Sequence, residues 1–133
     1  MSSKRIRVLV AEDDEVNAKT ARIILEQLGC SVDVAGDGTE AVGYFRTGDY
    51  DLILMDWQMP LMDGIEATAR IRAMPGGLTM PIIGTTAGKS QAECLKGGMN
   101  DVVPKPFLFD KMQGILSRWT NWTRAPRADA SEA

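Results

Sequence analysis

Residues 51–64 read DLILMDWQMPLMDG, and the fold turns on how that stretch is parsed. Leu52-Ile53-Leu54-Met55 is an uninterrupted apolar run of strand length, without the polar alternation of a strand that faces water on one side. A strand apolar on both faces belongs inside a parallel sheet covered by helices above and below. The run stops at Asp56, a charge placed where burial is expensive unless something neutralises it. Further on, Asp63-Gly64-Ile65-Glu66 has the spacing of a capping box. It predicts a helix from there to about Ala73, ended by Pro75-Gly76-Gly77.

Working outward, the same alternation repeats. Ile6 to Ala11 is a short apolar run that stops at Glu12. The pattern then turns helical, with Val16, Ile23, Ile24 and Leu28 expected on one side, and Gly29 in the usual C-terminal position. Ser31 to Ala35 reads as a second strand, Gly36-Asp37-Gly38 as a turn, and Thr39 to Arg46 as a short helix closed by Gly48. On the other side of the opening stretch, Pro81 to Thr85 reads as a fourth strand with proline only at its start. A short helix over roughly 90–96 and a brief strand, Asp101-Val102-Val103, follow. Leu108, Met112, Ile115, Leu116 and Trp119 give the last helix an apolar stripe. Five strands alternating with five helices across short connections imply right-handed βαβ units and an α/β fold with a parallel sheet covered on both faces. Residues 1–122 are expected to form the one domain, and 123–133, rich in Ala, Arg, Pro, Asp and Ser, a disordered tail.

Composition narrows the function. A chain of 133 residues with 44% hydrophobic residues can build one core without disulfides or a structural metal. The net charge of −3 leaves no basic footprint for nucleic acid. No apolar run reaches the ~18 residues of a transmembrane helix, and the N-terminal segment lacks a signal-peptide core, so a cytoplasmic location is expected. Cys30 and Cys94 are far apart, outside any metal or redox spacing, and are expected to be buried thiols. There is no histidine. A Ser-His-Asp or Cys-His nucleophile, a phosphohistidine carrier and a His-ligated zinc are therefore all excluded within the chain.

Open α/β sheets bind ligands beyond the carboxyl ends of their strands. Strand one ends in Glu12-Asp13-Asp14-Glu15, strand three in Asp56, strand four in Thr85-Thr86, and strand five leads into Lys105-Pro106. Asp14 or Glu15 is expected to cap the first helix. Glu12 and Asp13 lie nearer the strand end and Asp56. Carboxylates brought together repel one another, so a cation is the natural remedy. Mg²⁺ suits the place: it takes oxygen ligands, needs few carboxylates and keeps waters that a phosphate can replace. Lys105 is fixed between a strand and a proline and would meet a phosphoryl oxygen near Asp56. The Thr86 hydroxyl is a suitable donor to the same group. The set fits phosphoryl transfer, which demands mostly positioning and charge neutralisation.

VLVAEDDEVN at 8–17, DLILMDWQMPLMDG at 51–64, IIGTTA at 82–87 and GMNDVVPKPF at 98–107 together resemble the receiver domains of two-component response regulators, over about residues 4–120. The phrase QMPLMDGIEATARIR looks most like receivers attached to hybrid histidine kinases. The resemblance implies a flavodoxin-like, doubly wound (βα)5 fold with strand order 2-1-3-4-5. It implies that Asp56 is the phosphoacceptor and that Glu12, Asp13, Asp56 and the backbone carbonyl of Gln58 hold Mg²⁺. Thr86 and Lys105 match the family's signalling hydroxyl and its lysine, and Lys105-Pro106 is expected to be cis. The implied partners are a sensor histidine kinase or a histidine phosphotransfer protein, with no nucleic acid and no membrane insertion. The chain would be a signalling phosphoacceptor, not an enzyme, promoting only its own phosphorylation and dephosphorylation. Two departures stand out: Val102 replaces the family's strand-five Tyr or Phe, and the segment between Thr86 and Cys94 is about three residues shorter than is common. Both bear on how the signal is read.

Two rival readings meet an unsuitable residue, and the residue set argues against a third. A phosphatase of the haloacid dehalogenase kind wants a second aspartate two residues after the nucleophile, where this chain has Gln58. A flavodoxin's phosphate loop is rich in Thr, Ser and Gly, where this chain has four carboxylates that would repel a flavin phosphate. A receiver-like module that is never phosphorylated would have no need of the complete set of acids, Thr86 and Lys105.

Overall fold

The computed structural model describes residues 5–86 and 91–123. The elements alternate strictly: β1 (Arg7–Ala11), α1 (Glu15–Gln27), β2 (Ser31–Ala35), α2 (Gly38–Thr47), β3 (Leu52–Asp56), α3 (Gly64–Arg72), β4 (Ile82–Thr86), α4 (Gln91–Lys96), β5 (Asp101–Pro104) and α5 (Phe109–Trp119). All strand pairs are parallel, in the order β2-β1-β3-β4-β5. The flavodoxin-like expectation is met, and β3 lies at the centre with every residue buried.

The pleat sends alternate residues to opposite faces, and each face has its own core. Val8, Val10, Leu52, Leu54 and Ile83 pack with Ala21, Leu25, Met112 and Leu116 of α1 and α5. Leu9, Ala11, Ile53, Met55 and Ile82 pack on the other side with Ala41, Phe45, Ala67, Ile71 and Cys94 of α2, α3 and α4. Each fully buried Leu, Ile or Met side chain contributes about 1.5–3 kcal/mol relative to exposure, so these two layers are the main source of stability. Cys30 and Cys94 are both buried and free, as expected.

Two helix starts, at Asp14 and Asp63, were legible, whereas Asp37 was expected only as a turn residue. Asp14, Asp37 and Asp63 are N-caps, accepting from the amides of Asn17, Glu40 and Glu66 at 2.8 Å each. Each satisfies one amide that the first helical turn leaves without a partner.

Two apolar stripes need correction. Val16 is 72% exposed and Ile23 46%; the buried face of α1 runs through Ala18, Ala21, Ile24, Leu25 and Leu28. At 100° per residue Val16 and Ile23 share one line roughly opposite that face. The helix turns its alanines inward because small side chains let it sit close on the sheet. Leu108 is likewise exposed: it is the residue before α5, extended and without a side-chain capping bond, and the stripe begins at Met112. The expected start of α4 at Ser90 and the tail beyond residue 123 lie outside the described residues.

Arg72, at the end of α3, is a tether that sequence periodicity does not reveal. Its guanidinium donates to the carbonyls of Gly77, Met80 and Gly98 and to Asn100 Oδ1, at 2.5–3.1 Å. Asn100 Oδ1 also accepts from the Ile82 amide at 2.8 Å. The loops before β4 and before β5 are thus tied to one side chain. Burial holds the Arg72 pKa below its ordinary value.

Candidate functional site

Because all strands run the same way, their carboxyl ends share one edge. There, a cleft of about 310 Å³ is lined by Glu12, Asp13, Asp56, Gln58, Thr86 and Lys105, all six residues singled out from the sequence. Asn17 on the first turn of α1 also lines it; it closes the motif at 8–17, but no role was expected of it.

Main-chain pairing carries each side chain to the edge. The Glu12 amide donates to the Ala35 carbonyl at 2.9 Å, which prolongs the β1–β2 ladder by one residue. Asp56 pairs with Thr85 across β3 and β4, and Thr86 with Pro104 across β4 and β5. The Lys105 amide donates to the Thr86 carbonyl at 3.0 Å, one step past the end of β5. The Lys105–Pro106 peptide is cis, as the resemblance implies. Gly64 opens α3 directly against β3: its amide donates to the Trp57 carbonyl at 2.7 Å, and a Cβ there would overlap the Asp56 carbonyl oxygen. Only glycine lets α3 begin so close to the residue that ends the central strand.

The electrostatics follow from this crowding. Glu12 and Asp56 are buried, at 3% and 6% exposure, while Asp13 is exposed. Carboxylate oxygens of Glu12, Asp13 and Asp56 all lie within 4.8 Å of one another. Lys105 Nζ lies 2.8 Å from Glu12 Oε1 and 3.2 Å from Asp56 Oδ1. One cation thus faces three acids. Burial first, and then the charge of Glu12, push the Asp56 carboxyl up to about 6, against the opposing pull of Lys105. Burial opposes the Lys105 charge, but its two carboxylate partners outweigh it, and its pKa is raised.

This donor set fits a hard divalent cation. Three carboxylates converge, and the buried Glu12 Oε1 has the Lys105 ammonium beside it at 2.8 Å but no hydrogen bond of good geometry among the described residues. Its other oxygen accepts from the Asp14 amide at 3.1 Å, which fixes the side chain. All donors are oxygens, the preference of Mg²⁺.

Comparison with known proteins agrees. The response regulator receiver domain matches residues 8–117. Among curated relatives, the transcription factor SKN7 of Chaetomium thermophilum is 43% identical over an alignment of 120 residues that covers 86% of this chain; the chain spans about 15% of that protein's length. Among solved structures, the receiver domain of sensor histidine kinase PA1611 from Pseudomonas aeruginosa, with a magnesium ion in its active-site cleft, superposes with a TM-score of 0.82 at 40% identity. That match covers 87% of this chain and 98% of the other. The Saccharomyces cerevisiae complex of the histidine phosphotransfer protein Ypd1 with the receiver domain of Ssk1 matches with a TM-score of 0.81 at 27% identity, covering 96% and 97%. With the sheet order, the acid cluster and the lysine all in the arrangement that its sequence motifs imply, the chain belongs to the response regulator receiver domain family.

Proposed function

We propose that Asp56 is the phosphoacceptor of this two-component receiver, taking a phosphoryl group from a partner's phosphohistidine. The observation that carries the reading is the contact of Lys105 Nζ with both Glu12 and Asp56 in a cleft where three carboxylates converge. An Asp56 carboxylate oxygen attacks phosphorus in line. The bond from phosphorus to the donor's imidazole nitrogen breaks, and the electron pair leaves with that nitrogen. Lys105 would meet one oxygen of the incoming phosphoryl group, and the Thr86 hydroxyl, at the end of β4, would donate to another. Glu12, Asp13, Asp56 and the Gln58 carbonyl would hold Mg²⁺, which supplies neutralisation of the carboxylate and phosphoryl charges. Transfer back to water uses the same groups, so the chain promotes its own phosphorylation and dephosphorylation and needs no further catalytic residue.

The proposed donor is a sensor histidine kinase or a histidine phosphotransfer protein. The outward face of α1 supports this: Val16 and Ile23 are exposed, and Asn17, beside Val16, lines the cleft. A helical partner seated on that face would bring its histidine to Asp56. No helix among the described residues is long and apolar enough to cross a membrane, and both cysteines are free and buried; these facts support a cytoplasmic setting.

Acetyl phosphate and Mg²⁺ test the chemistry. The wild-type chain should form one acid-stable, base-labile acyl phosphate, lost in Asp56→Asn. A label that survives this substitution, or sits on serine or threonine, refutes the assignment.

A further inference from the structure

The chain leaves α5 by a turn that returns it to α1. Thr120 closes α5: its amide and its hydroxyl both donate to the Leu116 carbonyl, at 3.0 and 2.7 Å. The same hydroxyl oxygen accepts from the Trp122 amide at 3.0 Å. That turn brings the Trp122 ring back against the core layer shared by α1 and α5. There its Nε1 donates to the Leu28 carbonyl at 2.8 Å, across 94 residues of sequence.

Leu28 is the residue that ends α1, and the last carbonyls of a helix find no partner within it. Those of Ile24, Leu25 and Glu26 are met by the amides of Leu28, Cys30 and Gly29, so the local turn serves them. The Leu28 carbonyl is met by a side chain from beyond α5. Trp119, the last residue of α5, donates its own Nε1 to Asp101 Oδ2 at 2.9 Å. The C-terminal end of α5 is thus fastened both to the start of β5 and to the end of α1.

The fastening matters because α1 sits smoothly at its other end. Its buried face carries Ala18 and Ala21 in the first half and Ile24, Leu25 and Leu28 in the second. Alanine interlocks little with its neighbours, so the first half resists rotation about the helix axis poorly. The larger side chains and the Trp122 bond set that rotation from the far end. With side chains reaching about 5 Å from the axis, a rotation of about 20° would carry Val16 and Ile23 about 2 Å sideways.

We infer that Trp122 is a positioning residue for phosphoryl transfer from the partner protein: by holding the end of α1 to α5, it fixes how Val16 and Ile23 meet a helical partner that bears the phosphohistidine. The inference rests on the reading that the donor docks on the outward face of α1. Trp122 does not line the cleft, so it acts through α1 and not on the reacting atoms.

Trp122→Phe keeps a ring and deletes the donor. Thr120→Val is close to isosteric and deletes the hydroxyl that turns the chain toward Leu28. Each is compared with wild type, as the whole chain with Mg²⁺, using two donors: a phosphorylated histidine phosphotransfer protein and acetyl phosphate. Circular dichroism establishes that the variant is folded under the assay conditions. Both variants should raise the KM for the protein donor about fivefold, the scale of one interface side chain lost. The rate at saturation and the labelling by acetyl phosphate should stay as in wild type, and the amide signals of residues 16–23 should shift. If Trp122→Phe does not fold, Thr120→Val decides. An unchanged KM in a folded variant, where Val16→Glu does slow transfer from the same donor, overturns the role of Trp122. Equal slowing with both donors also overturns it, because the defect is then a general loss of structure. If Val16→Glu leaves transfer from the protein donor intact, the docking reading itself fails, and this inference with it.

Discussion

Asp56→Asn should make the metal-free protein more stable, although it removes the proposed phosphoacceptor. In the folded chain Asp56 is buried and beside Glu12, and its carboxyl is raised from 3.8 to about 6. At about 1.4 kcal/mol per tenfold change in proton affinity, keeping it ionised at neutral pH costs on the order of 3 kcal/mol of folding free energy. The sign follows from the direction of the shift. The folded state binds this proton more tightly than the unfolded state, so the cost is absent below about pH 4, grows as pH rises toward 6, and is complete above that. Asparagine is never ionised and is nearly isosteric. Its advantage over wild type should therefore be near zero at pH 4 and reach up to about 3 kcal/mol at pH 7.5, or about 10 °C in Tm at roughly 4 °C per kcal/mol for a chain of this size. Millimolar Mg²⁺ should close the gap. A cation that binds only the folded state adds about 2.7 kcal/mol at a hundredfold excess over its Kd, and the asparagine variant has lost one of its carboxylates. The assay is thermal and urea unfolding of both proteins in EDTA and in Mg²⁺, from pH 4 to 8. The reasoning is refuted if the variant is less stable than wild type in EDTA at pH 7.5, or if its advantage is the same at pH 4 and pH 8.

Arg72→Ala should lower stability by about 3 kcal/mol, since it strips a charged donor from three carbonyls and Asn100 at once; a urea midpoint within error of wild type would show the tether to be idle. Val16→Glu should slow phosphoryl transfer from a histidine phosphotransfer protein at least about tenfold while leaving labelling by acetyl phosphate unchanged, because Val16 is a solvent-facing neighbour of the cleft and not part of it. Equal slowing of both reactions would mean that the substitution had damaged the cleft. On activation by beryllofluoride, residues 86–94 should shift in amide spectra while Val102 keeps its rotamer, since a β-branched side chain has few alternatives; a rotamer change at Val102 without movement after Thr86 would reverse that assignment. Residues 87–90 of that segment lie outside the described residues.

Several features were legible in the sequence because their causes are local. An apolar run such as Leu52 to Met55 has only one comfortable place in an α/β fold, the middle of the sheet, and Asp14 and Asp63 cap helices through bonds that span three residues. The site residues could be read because parallel strands must gather their carboxyl ends on one edge, whatever lies between them. Periodicity failed at Val16 and Ile23 because it defines a line along α1 but not which side faces inward. That choice was made by the close approach that Ala18 and Ala21 permit against the sheet. Only the tertiary structure decided the contacts between distant segments: Lys105 reaching Glu12 across the sheet edge, Arg72 gathering carbonyls from two loops, and Trp122 donating to the Leu28 carbonyl. In one dimension Trp122 is only the residue where the domain was expected to end. Its role comes from a side chain that passes within bonding distance of a main chain 94 residues away, and no local propensity encodes that distance.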